Sequence, residues 1–233
     1  MSRIAIIAAM PGELLPIARG WRHESRGNVH LWRTKLGEDD WVAACAGAGQ
    51  PAATRAFAEI ERDGPVSAVV SVGWVGALSA ESLPGKAYRV AGVIDARTGE
   101  RFEAAADPAG SPPGPWLVTS PQVADAAEKC RLAETYGAGL VDMEAAAIAR
   151  LATMRGIPFR CIKGVSDGHA DRLPDFNRFL TPEGQFRLGR FIIFAILRPW
   201  YWPGLIRMSE NSSKASQAIR GSLFDNLHRP GAH

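Results

Sequence analysis

Three carboxylates in this chain stand where apolar segments end. Glu13 follows the run Arg3-Ile4-Ala5-Ile6-Ile7-Ala8-Ala9, Glu144 lies within Val141-Asp142-Met143-Glu144-Ala145-Ala146-Ala147-Ile148-Ala149, and Asp167 closes Ile162-Lys163-Gly164-Val165-Ser166-Asp167. An unpaired charge is costly to bury, so acids at the ends of buried elements point to a cleft that handles hydroxyls and protons. One carboxyl can protonate a leaving group while another activates the nucleophile. Each acid also has a plainer reading: Glu144 as a helix N-terminal acid, Asp167 as a turn cap and Glu13 as a first-turn acid.

The elements that must position these acids alternate in type. Residues 3–9 form a nearly continuous apolar run, the mark of a parallel strand buried on both faces. Pro11-Gly12-Glu13 breaks it, and Leu14–Ala18 is expected to begin a helix. Val29–Lys35 and Trp41–Ala46 are expected to be strands around a polar turn, and Gly47-Ala48-Gly49 opens a helix from Pro51 to Arg62. Val66–Val72 reads as a strand ending in a tight turn, Gly73-Trp74-Val75-Gly76, and Tyr88–Arg97 as one longer strand. Residues 98–115, rich in Gly, Pro, Ala and Asp, read as a loop. Trp116–Thr119, Leu140-Val141 and Pro158–Val165 complete the strands, with helices at Val123–Tyr136 and Asp142–Arg155. The expected fold is a single α/β domain with a mixed, largely parallel central sheet flanked by helices.

Composition narrows the function classes. At 233 residues with 46% apolar content the chain can bury a full core, and a net charge of +3 gives no case for a nucleic-acid partner. Cys45, Cys130 and Cys161 show no metal-ligand spacing; two lie in apolar strands, as reduced core cysteines of a cytoplasmic protein would. His169 and Asp171 lack a third partner, so no metal site is expected. No basic segment followed by a long apolar stretch opens the chain. Residues 1–185 read as the catalytic domain. Residues 186–208 read as a helix with an aromatic and basic segment, packed on the domain or lying at the inner face of a membrane. Residues 209–233 read as a polar, frayed tail. Arg190, Arg198 and Arg207 around Trp200-Tyr201-Trp202 suit membrane-surface contact through 190–208, but the segment is too interrupted to span one.

The motifs resemble the nucleoside phosphorylase/nucleosidase superfamily. The match is nearest the methylthioadenosine/S-adenosylhomocysteine nucleosidase branch. It is carried by Ile6-Ile7-Ala8-Ala9-Met10-Pro11-Gly12-Glu13, Val72-Gly73-Trp74-Val75-Gly76-Ala77-Leu78, the segment around Glu144, and Val165-Ser166-Asp167. The tail resembles a smaller subgroup, the hopanoid-associated phosphorylases. The resemblance implies cleavage of the N-glycosidic bond of an adenine nucleoside carrying a 5′ substituent, and the tail points to adenosylhopane, in hopanoid biosynthesis, as that nucleoside. It implies a homodimer and no cofactor, with phosphate as the one conceivable co-substrate. A soluble methylthioadenosine/S-adenosylhomocysteine nucleosidase and a non-catalytic nucleoside-binding module are the rivals.

By the same resemblance, Glu13 orients a nucleophilic water, Glu144 and Met143 bind the ribose hydroxyls, and Asp167 protonates the purine at N7, steered by Ser166. Val123 offers backbone contacts to the base, and Gly73 and Gly76 shape the wall near the sugar. A proton donor at position 167 requires a carboxyl kept protonated, which burial away from cations favours. Two positions depart from the family pattern. Trp74 replaces a small hydroxyl residue and reads as a pocket lid or as core. Lys163 replaces an arginine, keeping charge but losing the bidentate fork; it reads as a substrate or phosphate contact, or as an ion-pair partner of an acid. The paired-arginine phosphate pattern of the phosphorylases is missing, and a carboxylate beside the attacking group disfavours a phosphate anion. The nucleophile therefore stays open between water and phosphate.

Overall fold

The apolar run at the start of the chain becomes β1 (Arg3–Ala8), and its pleat divides it between two cores. Ala5 and Ile7 join one buried cluster, Ile6 and Ala8 the other. That double burial explains why the run has no polar break. The computed structural model describes residues 2–106, 110, 112–171 and 173–224. After β1 come α1 (Pro11–Leu14), β2 (Arg22–Arg26), β3 (Val29–Leu36), β4 (Asp39–Cys45) and α2 (Gln50–Glu61). Then follow β5 (Ala68–Ala77), β6 (Ala87–Arg89), β7 (Gly92–Asp95), β8 (Arg101–Glu103), β9 (Trp116–Thr119) and α3 (Ala126–Tyr136). The chain continues through β10 (Leu140–Asp142), α4 (Ala145–Arg155), β11 (Phe159–Asp167), α5 (Leu188–Ile196) and α6 (Trp202–Phe224).

The sheet is mixed. Its order is β2-β3-β4-β1-β5-β10-β9-β7-β8, with β11 on the other edge of β5 and β6 beyond it. The strands β4, β1, β5 and β11 run parallel, as do β10, β9 and β7. Hairpins finish the edges, and α2 and α4 cover one face while α1 and α6 cover the other. Cys45 and Cys161 are buried as free thiols and Cys130 is exposed.

Several expectations change. The glycine-rich segment 73–76 is no turn: β5 runs straight through it, paired to β11 as far as Gly76. Glycine there serves close approach of side chains rather than chain reversal. The expected strand Tyr88–Arg97 splits into β6 and β7, because the first pairs with β11 and the second with β9. The expected loop after it contains β8, antiparallel to β7. β2 was not expected, since it is polar; its Glu24 and Arg26 instead pair with Arg33 and Asp63. Helix α3 starts at Ala126, three positions later than expected, because Asp125 caps it by accepting the Glu128 N–H at 2.9 Å. The expected helix end at Gly156 stands, with that residue in the left-handed region at φ 63°.

The tail differs most. Residues 209–224 are not frayed but continue α6, which buries Ser212, Ala215, Ser216, Ile219 and Leu223. Gly164 of β11 accepts this helix so closely that a Cβ there would stand 2.7 Å from the Ala215 Cβ. Residues 225–233 of the expected tail lie outside the described residues. Among the described residues no helix is long and apolar enough to cross a membrane.

Candidate active site

The carboxyl ends of β1, β5, β10 and β11 open onto one cleft of about 1030 Å³, the place where open α/β sheets put ligands. Glu13, Trp74, Gly76, Val123, Met143, Glu144, Ser166 and Asp167 all line it. Residues far apart in sequence thus share one cavity. Gly73 and Lys163 stand behind its wall.

Glu13 is buried at the start of α1 and accepts three backbone N–H groups: Ala9 at 2.9 Å, Met10 at 2.7 Å and Trp74 at 2.7 Å. Burial pushes this carboxyl up, and the N–H donors of Trp74 and Met10 pull the other way. The approach of Glu13 to β5 depends on Gly73, at φ 137°, where a Cβ would stand 2.7 Å from Oε1. Trp74 supplies both a cleft wall and an anchor. Its indole N–H donates to Ser216 Oγ at 2.8 Å and Ser212 O at 3.1 Å, tying α6 to the site.

Glu144 stands at the N-cap position of α4, where Asp142 and Thr119 rather than its own carboxyl accept the first helical N–H groups, and it is also buried. Its Oε1 accepts the Gly49 N–H at 2.6 Å, which gives the glycine segment before α2 a role the sequence did not disclose. Burial, and then the neighbouring Asp142 charge, push the Glu144 carboxyl from 4.5 to about 8. The folded value lies above the unfolded one, so its contribution to stability is full below about pH 4.5 and lost as pH rises through about 8. We expect Tm to fall across that window, and Glu144→Gln to flatten the fall. Equal slopes for the two proteins by differential scanning fluorimetry would contradict it.

Lys163 is not a cleft residue. Its Nζ lies 2.9 Å from Asp142 Oδ2, and both side chains are almost wholly buried. Burial alone would lower the Lys163 ammonium; the Asp142 carboxylate outweighs it and the net direction is up. Val123 is in the cleft, but its backbone is already engaged. Its N–H donates to Asn177 Oδ1 at 2.8 Å and its carbonyl accepts from Asn177 Nδ2 at 3.0 Å. A base using the Val123 N–H must displace the Asn177 amide, while the carbonyl keeps a second lone pair free to accept.

Asp167 stands at a register shift that ends β11 and lines the cleft. Ser166 Oγ donates to its Oδ1 at 2.6 Å and lies 3.1 Å from Val75 O. The expected isolation from cations fails: Lys129 of α3 forms an ion pair with Asp167 Oδ2 and donates to Gly168 O at 2.7 Å. Lys129 shares the buried stripe of α3 with Leu132, three residues on, and that spacing was its only signal in sequence. Among the described residues no cluster of His, Cys, Asp and Glu could hold a metal ion.

A family model described as the phosphorylase superfamily matches residues 3–128 and 103–187. The chain belongs to the phosphorylase superfamily. It is therefore an enzyme of the kind that the motifs around Glu13, Glu144 and Asp167 resemble. Among solved structures, the native futalosine hydrolase of Helicobacter pylori strain 26695 is similar at a TM-score of 0.74 and 13% identity, covering 98% of each chain. The apo 5′-methylthioadenosine nucleosidase of Arabidopsis thaliana is similar at 0.74 and 15% identity, covering 99% of this chain and 98% of that one. The 5′-methylthioadenosine/S-adenosylhomocysteine nucleosidase of Neisseria meningitidis, complexed with methylthio-immucillin-A, reaches 0.67 and 19% identity over 95% of this superfamily member and 100% of that chain. These likenesses show the fold. No curated protein matches the chain in sequence.

Proposed function

We propose that this member of the phosphorylase superfamily hydrolyses the N-glycosidic bond of an adenine nucleoside with an apolar 5′ substituent. The convergence of Glu13, Glu144 and Asp167 on one cleft carries the reading. In the proposed reaction the Glu144 carboxyl holds the ribose hydroxyls beside the developing oxocarbenium. Asp167 delivers a proton to purine N7, which turns the base into a good leaving group. Glu13, with both oxygens fixed by N–H groups, aims the attacking water and takes its proton. Water is favoured over phosphate because a buried acid faces the attack position, and because Lys163 is held by Asp142. The chemistry calls for neither a metal nor an organic cofactor.

The proposed 5′ group follows from the other lining. Leu188, Phe191, Tyr201 and Met208 also line the cleft. They sit on the segment that exposes Ile192, Ile193, Ile196, Leu197, Trp200 and Ile206. Exposed large apolar side chains gathered on one segment suit an interaction surface. With Arg190, Arg198 and Arg207 beside it, it suits an anionic membrane surface. A nucleoside lipid such as adenosylhopane fits both features.

One assay tests the reading. Adenosines carrying a short methylthio or a long alkyl 5′ group are incubated with the protein, with and without anionic vesicles, in phosphate or phosphate-free buffer. We expect adenine and free sugar in both buffers, with the alkyl substrate and vesicles giving the faster release. A sugar 1-phosphate product would make the enzyme a phosphorylase. No effect of vesicles or alkyl length would favour a soluble nucleosidase. Tight binding of adenosine analogues without adenine release would leave a binding module.

A further inference from the structure

We infer that Lys129 is the proton source of the site: Asp167 passes on to the purine a proton that Lys129 supplies. This rests on the reading of Asp167 as the residue facing N7.

Three observations carry it. First, Lys129 is a buried ammonium in the wall of the cleft, and its acceptors among the described residues are Asp167 Oδ2 and Gly168 O. A surface lysine would be solvated; this one is committed to the carboxyl that must deliver a proton. Second, the fold keeps room for the pair. At Gly76 a Cβ would stand 3.0 Å from Lys129 Cε and 3.3 Å from Asp167 Oδ2. Third, the other oxygen of Asp167 is held in place by Ser166. The Ser166 hydroxyl has one hydrogen but two oxygen neighbours, Val75 O at 3.1 Å and Asp167 Oδ1 at 2.6 Å. Ser166 thus fixes Oδ1 and leaves Oδ2 to exchange the proton with Lys129.

The step balances. The C1′–N9 bond breaks with its electron pair on the purine. An ammonium hydrogen of Lys129 moves to the Asp167 carboxylate at Oδ2 and Asp167 passes a proton on to N7, leaving a neutral amine, a carboxylate and a neutral base. Water forms the new C1′–O bond and leaves its proton on Glu13. Solvent then returns one proton to Lys129 and accepts one from Glu13, so the net reaction is nucleoside plus water to base plus sugar.

The test uses leaving groups. The wild-type protein, Lys129→Met and Lys129→Arg are assayed on 5′-methylthioadenosine and on 4-nitrophenyl riboside, whose phenolate departs without a proton. Both variants are expected to lose roughly 10²-fold or more in kcat on the nucleoside and to stay near wild type on the nitrophenyl riboside. Arginine keeps the charge but does not give up its proton, so it is expected to fail like methionine. Full nucleoside activity in Lys129→Arg would overturn the proton role. Equal losses on both substrates would also overturn it, making Lys129 a structural residue. A wild type that cleaves the nitrophenyl riboside but neither 5′-methylthioadenosine nor the 5′-alkyl adenosine, or none of the three, would refute the parent reading and this inference with it. The wild-type arm therefore separates the two failures.

Discussion

Asp167→Asn is expected to lower kcat on a purine nucleoside by about 10²–10⁴-fold. The amide keeps the shape of the carboxyl and its contact with Ser166, but it has no acidic proton for N7. It also strands Lys129, whose ammonium would retain Gly168 O at 2.7 Å and lose its counter-charge. Leaving one member of a buried pair is destabilising, so Tm should drop as well. The two effects separate in the double variant Asp167→Asn with Lys129→Met. Removing the stranded ammonium should recover stability without recovering turnover. The measurement is kcat beside Tm for the wild type, both single variants and the double. Wild-type turnover in Asp167→Asn would show that the proton reaches N7 from elsewhere.

What the sequence disclosed and what it hid follow the same physics. Glu13, Glu144 and Asp167 were legible because each interrupts an apolar element, and a charge there demands a reason. The strands around them were legible because burial on both faces leaves an unbroken apolar run, as in residues 4–8. Gly73 and Gly76 were visible but misassigned. A missing side chain serves a turn and a close approach equally, and only the contacts with Glu13 and Lys129 tell which. Lys129 was hidden because its partner lies 38 positions away, on a different element. Asn177 was hidden for a similar reason: it meets Val123 across 54 positions. The C-terminal helix was hidden because its buried stripe includes Ser212 and Ser216, which look like surface until Trp74 is seen reaching them. Local patterns report burial well; they do not report which distant side chain meets another.

Lys163→Met is expected to destabilise the fold by roughly 3–5 kcal/mol, the usual result of removing one partner of a buried pair. Three acids decide this. Asp142 would keep Thr119 Oγ1 at 2.7 Å and the Ala145 N–H at 3.0 Å, but it would lose its cation at 2.9 Å. Glu144 would be left beside Asp142, whose charge already pushes its carboxyl up, without the Lys163 charge that pulls it down. Glu13, which Lys163 also favours as a carboxylate, would shift further up. Lysine at this position thus sets the charge balance of the acids in the cleft from behind its wall, without facing the cleft itself. At roughly 2–4 °C of Tm per kcal/mol for a chain of this size, the loss is large enough to read by calorimetry. Pairing it with Asp142→Asn removes the stranded carboxylate, and a double-mutant cycle should return a coupling of opposite sign to the single losses. A Tm for Lys163→Met within a degree or two of wild type would mean that the Lys163–Asp142 pair adds nothing, and that water or another group satisfies Asp142.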